Sequence, residues 1–153
     1  MKSLLDPAGR ASIDARLALL RPDRTRRWGR MSAGQMICHL TDAFRGSMGE
    51  LGGGKVPRPA TLFGRTLMKW WALNLPWPHG IRTAAAADQE RGGTPPTTFE
   101  NDIATLKATT DRFVRELPAL SRRSHYYFGT LSEAQWARWG YQHMNHHLRQ
   151  FGL

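Results

Sequence analysis

Cysteine is almost missing from this chain of 153 residues, in which Cys38 stands alone. A single cysteine excludes an internal disulfide, and it also excludes a zinc site made mainly of thiolates. A metal ion bound by this chain would therefore be held by histidine, aspartate or glutamate side chains.

Acidic residues are also scarce: 12 face 22 lysines and arginines, which leaves a formal net charge of +10. This excess favours anionic partners, such as nucleic acid, an anionic membrane surface or a negatively charged small substrate. The arginines are scattered along the chain and accompany no RNA-binding signature or helix-turn-helix pattern. The sequence therefore disfavours nucleic acid and leaves an anionic small molecule open.

Long hydrophobic runs are missing as well. The most apolar stretch, Leu62 to Trp77, is interrupted by Arg65, Lys69, Asn74 and Pro76. It falls short of the roughly 20 apolar residues that a spanning helix needs. The apolar region near the N-terminus is too short for a signal peptide. We therefore expect a soluble, cytoplasmic protein with no membrane span.

Sustained period-two alternation is absent, and helical periodicity dominates the chain. Four long amphipathic helices are predicted: Ser12 to Arg21; Ser32, in a capping box with Gln35, to the break at Gly52–Gly54; Thr97 or Thr98, with Glu100 available for a capping box, to Pro118; and Ser132, in a capping box with Gln135, to about Phe151. This pattern predicts an all-α four-helix bundle, one domain over residues 1–153. Leu62 to Leu75 forms an extra apolar helical insert between helices two and three.

The last predicted helix carries two histidines on its apolar face. Seven residues share that face on a helical wheel: Trp136, Trp139, Gly140, His143, His147, Gln150 and Phe151. His143 and His147 lie one turn apart near its centre, where burying imidazoles costs free energy unless their nitrogens find partners. One metal ion shared by both rings would supply them, and this spacing is used by helical zinc motifs.

A metal site of this kind needs at least one more protein ligand. His39 flanks the apolar stripe of helix two, three residues after Met36 and four before Ala43, so its side chain could reach the bundle interior. We therefore predict that His39, His143 and His147 hold one divalent metal ion, with positions left open for water or substrate. The alternative is that water or backbone carbonyls satisfy each histidine separately.

Five further residues belong to the surroundings of this predicted site. His125, beside two tyrosines, is a candidate catalytic acid–base group, and a structural role for it is equally open. His146 points about 80° from the centre of the helix face, which suits a surface position or one next to the ligands. Asp42, one turn after the histidine of helix two, either orients that histidine or lies solvated on the surface. Cys38 is predicted to be structural, and His79 to be a loop residue.

The apolar insert has three interpretations. It could cover the open end of the bundle and shape a substrate pocket, or it could form a dimer interface, since exposed apolar surface of this size usually has a partner. With Arg65 and Lys69 it could instead lie on an anionic membrane surface. The first two interpretations rank above the third.

Two segments carry a resemblance to a known group: QMICHLTDAF, which contains His39, and HYYFGTLSEAQWARWGYQHMNHHLRQF. With the helix order of nearly the whole chain, they resemble the DinB-like (YfiT-like) superfamily of four-helix-bundle metalloenzymes. The resemblance implies a metal site from His39, His143 and His147, commonly zinc or nickel, and commonly a homodimer. Similar proteins include S-transferases that use low-molecular-weight thiols, and some hydrolases or isomerases.

Two functions follow from these patterns. The first is a metal-dependent enzyme that acts on a small molecule, by thiol S-transferase-like or hydrolase-like chemistry, with a low-molecular-weight thiol as a further cofactor. The second is a non-catalytic basic helical module that binds nucleic acid or another anionic ligand and contains a structural metal ion.

Overall fold

The computed structural model describes residues 2–51, 62–80, 88–125 and 127–153. Within them the chain is an all-α helical bundle, as predicted, whose elements follow one another in this order: α1 (Pro7–Ala18), α2 (Ala33–Met48), a π-helical turn (Gly64–Met68), α3 (Lys69–Asn74), α4 (Phe99–Arg115), α5 (Leu117–Leu120), the strands β1 (Ser124–His125) and β2 (Gly129–Thr130), and α6 (Glu133–Gln150). The predicted break at Gly52–Gly54 lies outside the described residues.

The first helix begins five residues earlier than the sequence pattern predicts. Asp6 caps α1 by accepting hydrogen bonds from the backbone N–H groups of Ala8 and Gly9, and Pro7 occupies the first helical position. Proline suits that position because its missing N–H would have no helical partner there. The predicted start at Ser12 is therefore wrong, because Asp6 and Pro7 start the helix before its apolar stripe begins.

The capping boxes of the second and last helices are confirmed. Ser32 accepts a hydrogen bond from the N–H of Gln35, whose side chain accepts one from the N–H of Ser32, and α2 then ends at Gly49 in the left-handed conformation. Ser132 and Gln135 make the same pair of bonds at the start of α6. These boxes fix where the two histidine-bearing helices begin.

The third long helix starts near the predicted residue but with a different cap. Thr98 is its N-cap residue and makes no side-chain hydrogen bond, so the predicted box with Glu100 is wrong. Asp102 instead accepts hydrogen bonds from the N–H and hydroxyl of Thr97, at 2.9 and 2.6 Å. Asp102 is itself buried, so the carboxylate that serves this helix start faces the interior.

The core lies between the four long helices: α2 packs on α4, and α6 packs on α1, α2, α3 and α5. At its centre α6 has Gly140, where a Cβ atom would lie 2.7 Å from Leu4, 3.1 Å from Phe44 and 3.2 Å from Phe113. A side chain at this position would therefore force the helix away from its neighbours. Glycine lets α6 approach the core closely enough for its histidines to meet α2.

Arginines from the first part of the chain hold the end of α6. Arg24 donates to the carbonyls of Phe151 and Gly152, and Arg16 donates to the carbonyl of Leu153 and to the side chain of Asn145. Phe151, Gly152 and Leu153 follow the last residue of α6, so these bonds satisfy carbonyls that water would otherwise have to serve. The segment between α1 and α2 is thereby fastened to the end of the last helix.

The apolar insert is helical where it is described. Ala72 and Leu73 on its inner side are buried, whereas most of its large apolar side chains face solvent. Arg138 and Gln142 of α6 both donate to the carbonyl of Leu73, which holds α3 against the bundle.

A small hairpin precedes α6 and was not predicted. Strands β1 and β2 are antiparallel, with Ser124 opposite Thr130 and His125 opposite Gly129. Two-residue strands are too short to show alternation in a sequence. The hairpin fixes the position of His125.

Candidate metal centre

The structure brings together the three histidines that the sequence predicts as metal ligands. His39 from α2 meets His143 and His147 from α6, and all three side chains are buried, with 3%, 8% and 8% of their surface exposed. The ring centroids are separated by 4.7–5.2 Å. One possible ligand atom from each residue lies within 4.8 Å of the other two.

The nitrogen spacing suits a shared ion. His39 Nε2 and His143 Nε2 lie 3.2 Å apart. Two zinc–nitrogen bonds of about 2.0–2.1 Å at a tetrahedral angle would hold their nitrogens about 3.3–3.4 Å apart. The same separation is also that of an ordinary hydrogen bond between one protonated and one unprotonated nitrogen.

The third ring is held by a short chain of hydrogen bonds. His147 Nδ1 donates to Gln150 Oε1 at 2.9 Å, and Gln150 Nε2 donates to the carbonyl of Trp28 at 2.8 Å. This bond keeps the proton on Nδ1 and leaves Nε2 of His147 as the nitrogen with a free electron pair. The chain backbone passes close to the amide at Gly29, where a Cβ atom would collide with Gln150.

The electrostatics keep two of these rings neutral. Burial lowers the pKa of His143 well below its ordinary value, and the nearby His147 and His39 lower it further. Burial also lowers the pKa of His147, with a smaller contribution from His39, against the opposing effect of the Gln150 hydrogen bond. Neutral imidazole is the form that coordinates a metal ion.

A nitrogen of the cluster has no hydrogen-bond partner in the part of the chain that the structure describes. This nitrogen is the buried Nδ1 of His143. A buried polar atom without a partner costs free energy, so the cluster is not explained as a satisfied hydrogen-bonded network. The ring of His143 lies between two indoles, with centroids 5.2 Å from those of both Trp77 and Trp139.

Aromatic side chains from two loops cover the cluster. Trp77, which follows α3, contacts the rings of His143 and His146, and its indole N–H donates to the carbonyl of Ala72 at 2.7 Å. Beside it, Trp28 stacks on His79 with 3.9 Å between ring centroids. His79 is thus a loop residue, as predicted, but one that joins two loops over the cluster.

His146 lies at the edge of this cover rather than on the open surface. It is half-buried, with its ring centroid 5.0 Å from that of His147 and 5.8 Å from that of Trp77. Burial lowers its pKa to about 4. Sequence reasoning missed the two tryptophans that surround it, Trp28 and Trp77, because they come from loops without periodicity.

His125 lies one aromatic side chain away from the cluster. Its ring stacks on Phe128, with centroids 4.5 Å apart, and its Nδ1 accepts a hydrogen bond from the N–H of Tyr127. Trp139 contacts the rings of both His125 and His143, with 5.3 and 5.2 Å between ring centroids. Burial lowers the pKa of His125 to about 3, so this side chain is neutral near pH 7.

Asp42 and Cys38 lie on α2 beside His39 in the sequence, and both are buried. The carboxylate of Asp42 accepts hydrogen bonds from Gln89 and from the N–H and hydroxyl of Thr94, so the interpretation as a solvated surface residue is wrong. Burial raises the pKa of Cys38 to about 12, and the carboxylates of Asp102 and Asp42 add to the effect. A thiol with such a pKa is a poor nucleophile and a poor ligand at neutral pH, in accord with a structural role.

Comparison with known proteins identifies the family of this chain. The family model described as "Protein of unknown function (DUF1569)" matches residues 2–152. No curated protein and no solved structure matches the chain. Among the residues described, no helix combines the length and the hydropathy that a membrane span requires. The match covers both histidine-bearing helices and almost everything between the ends of the chain, so this protein belongs to the DUF1569 family.

Proposed function

We propose that His39, His143 and His147 hold one divalent metal ion inside the bundle. The observation that carries this proposal is the convergence of three buried imidazole rings from two helices on one point. The chemistry of the donors fits, because His143 and His147 are kept neutral and the Nε2 atoms of His39 and His143 are 3.2 Å apart.

For the identity of the ion we propose zinc or nickel. Three imidazoles suit zinc, copper, iron and nickel, and they disfavour magnesium and calcium, which prefer oxygen ligands. The resemblance to the DinB-like superfamily narrows the choice to zinc or nickel. The choice of zinc or nickel thus includes the proposal that the DUF1569 family resembles the DinB-like superfamily.

For the activity we propose a metal-dependent enzyme that acts on a small molecule, with S-transferase-like or hydrolase-like chemistry. A divalent ion held by three histidines supplies Lewis acidity, which lowers the pKa of a coordinated water or thiol. The residues of the chain would hold and shield this centre: Gln150 orients His147, while Trp77 and Trp139 exclude water from His143.

His125 is the candidate acid–base residue in this proposal. Trp139 contacts both its ring and that of His143, so a substrate bound at the edge of this indole could reach both histidines. With a pKa of about 3, the ring of His125 is neutral at neutral pH. Because its Nδ1 accepts a hydrogen bond from the N–H of Tyr127, Nε2 carries the ring proton and could donate a hydrogen bond to a substrate. A His125→Asn variant that retains metal and full turnover would remove it from the reaction.

One observation favours the second candidate, a binding module with a structural metal ion. The three rings are at most 8% exposed and lie under Trp77, and closed sites are typical of structural metal ions. In that case chelation would lower the melting temperature of the protein, and nucleic-acid affinity would fall with salt without depending on the histidines.

Metal analysis of the purified protein tests the metal site on which both candidate functions depend. Wild-type protein is expected to retain about one equivalent after reconstitution, and a His143→Ala, His147→Ala double variant to retain almost none. His79→Ala is the matched control, because His79 is an exposed histidine whose ring contacts Trp28. Wild-type protein with less than about 0.2 equivalents would refute the metal site. Turnover of thioether-forming and ester substrates then separates the enzyme from the binding module.

A further inference from the structure

The apolar insert carries an exposed apolar surface. We call it the docking face, and it consists of Leu62, Phe63, Leu67, Met68, Trp70 and Leu75, each between 39% and 80% exposed. In the described part of the chain, nine large apolar side chains are this exposed, and six of them lie in these 14 residues. Contiguous apolar surface of this kind usually marks a site of interaction with another molecule or with a membrane.

The inner side of the same segment is already fastened to the bundle. Ala72 and Leu73 are buried, and the carbonyl of Leu73 accepts hydrogen bonds from two α6 side chains. Lys69 reaches the carbonyl of Thr130 in the hairpin, at 3.5 Å. The insert is thus anchored through one side and its backbone, and this anchoring holds the docking face outward.

The charge of this part of the sequence, and of the whole molecule, selects among the possible occupants of the docking face. Residues 51–87 contain five lysines and arginines and no acidic residue, and two of the five, Arg65 and Lys69, belong to the insert itself. A second copy of the chain would bring the same positive charges face to face, in a molecule whose formal net charge is already +10. An anionic surface would attract both the insert and the molecule as a whole.

The residue types also suit a bilayer surface. Trp70 and Phe63 are aromatic side chains of the kind enriched where a membrane meets water, and leucines accompany them. Helical segments that lie in the plane of a membrane combine such an apolar face with lysines and arginines on the polar side. The insert has this composition over its described length.

We propose that the docking face binds the surface of anionic lipid bilayers. The apolar side chains enter the headgroup region, while the exposed Arg65 lies close to lipid phosphates. Binding is peripheral, and it concerns a surface on the opposite side of the insert from the residues that contact α6. The proposal goes beyond the proposed metal-dependent activity and does not rest on it.

Sedimentation with vesicles tests this proposal on the full chain. Vesicles containing phosphatidylglycerol are expected to bind the protein, whereas vesicles of phosphatidylcholine alone bind it weakly, and added salt should release it. An Arg65→Gln variant should lose about fivefold in affinity, which is the contribution of one basic residue near an anionic surface. Lys107→Gln, an exposed lysine of α4, is the matched control and should change little.

A matched pair of variants tests the contribution of the apolar side chains of the docking face. Leu67 and Leu19 are equally exposed, at 58%, but only Leu67 belongs to the docking face. Leu67→Gln should weaken vesicle binding about tenfold or more, and Leu19→Gln should leave it unchanged. Circular dichroism and the metal content confirm that both variants are folded, and Leu62→Gln replaces Leu67→Gln should the latter not fold.

Three results would overturn the proposal. The protein could bind neither kind of vesicle, or it could bind both kinds equally and without sensitivity to salt. It could also be a dimer by light scattering that Leu67→Gln converts to monomers, which would assign the docking face to a second copy of the chain. None of these results affects the metal content, so failure here is distinguishable from failure of the metal site.

Discussion

Replacing Gln150 by leucine should weaken metal binding without removing any of the three histidines. In the structure the side chain of Gln150 accepts a hydrogen bond from Nδ1–H of His147 at 2.9 Å and donates one to the carbonyl of Trp28 at 2.8 Å. Leucine has a similar size but neither group, so it would leave the nitrogen and the carbonyl buried without partners. His147 could then rotate, and its Nε2 would no longer be directed at the other two rings.

The magnitude follows from these two bonds. Losing the partner that orients a metal-binding histidine typically costs about 10–100-fold in metal affinity. Each buried group left without a partner costs about 1–3 kcal/mol, so the metal-free protein should also lose stability. The loss of metal affinity is the informative quantity, since a purely structural glutamine would lower stability alone.

Competition with a chromophoric chelator measures the affinity, and Gln142→Leu is the matched control. Gln142 lies on the same helix, and its amide also donates to a carbonyl of another segment, that of Leu73 in α3, at 3.4 Å. We expect wild-type affinity for this control and a tenfold or greater loss for Gln150→Leu. Equal affinities for the two variants would show that Gln150 does not orient His147.

Three further predictions concern stability and reactivity. Gly140→Ala should destabilise the fold by about 1–3 kcal/mol in urea unfolding, because its Cβ would lie 2.7–3.2 Å from three core side chains, and no loss would contradict the packing. The pKa values of His125, His143 and His147 are lowered in the folded state, so the unfolded chain binds more protons below about pH 6.5. The free energy of unfolding of metal-free protein should therefore fall with decreasing pH, by about 1.4 kcal/mol per pH unit for each histidine, and a flat profile between pH 7 and 5 would refute this. Cys38, with its pKa raised to about 12, should resist alkylation until the chain unfolds, and rapid labelling of native protein would exclude its burial.

The sequence predicts the histidine-bearing helices well because their signals are local and repeated. Ser132 and Gln135 mark the start of α6, and the side chains spaced along one face of the wheel are all buried. The position of His39 could be predicted for the same reason, from its place beside the apolar stripe of α2. A helical wheel shows on which face of its helix a side chain lies. Because the apolar faces of α2 and α6 must pack together, the histidines on those faces are expected to meet.

The surroundings of the cluster could not be predicted, because they depend on contacts between distant segments. Trp28 and Trp77 reach the histidines from loops, where no periodicity indicates direction. The burial of Asp42 could not be predicted, because its partners, Gln89 and Thr94, are about 50 positions away in the sequence. The hairpin that holds His125 is likewise defined by pairing between strands and not by either strand alone.

The arginines at the end of α6 have a consequence for the rigidity of the cluster. Helix ends usually fray, and His147 lies only three residues before the last residue of this helix. Arg16 and Arg24 bind the carbonyls of the three residues that follow the helix, and the N–H of Arg27 donates to the carbonyl of Gln150 at 2.7 Å. We therefore expect the amide protons of the final turn, which includes His147, to exchange with solvent more slowly than those of an unsupported helix end.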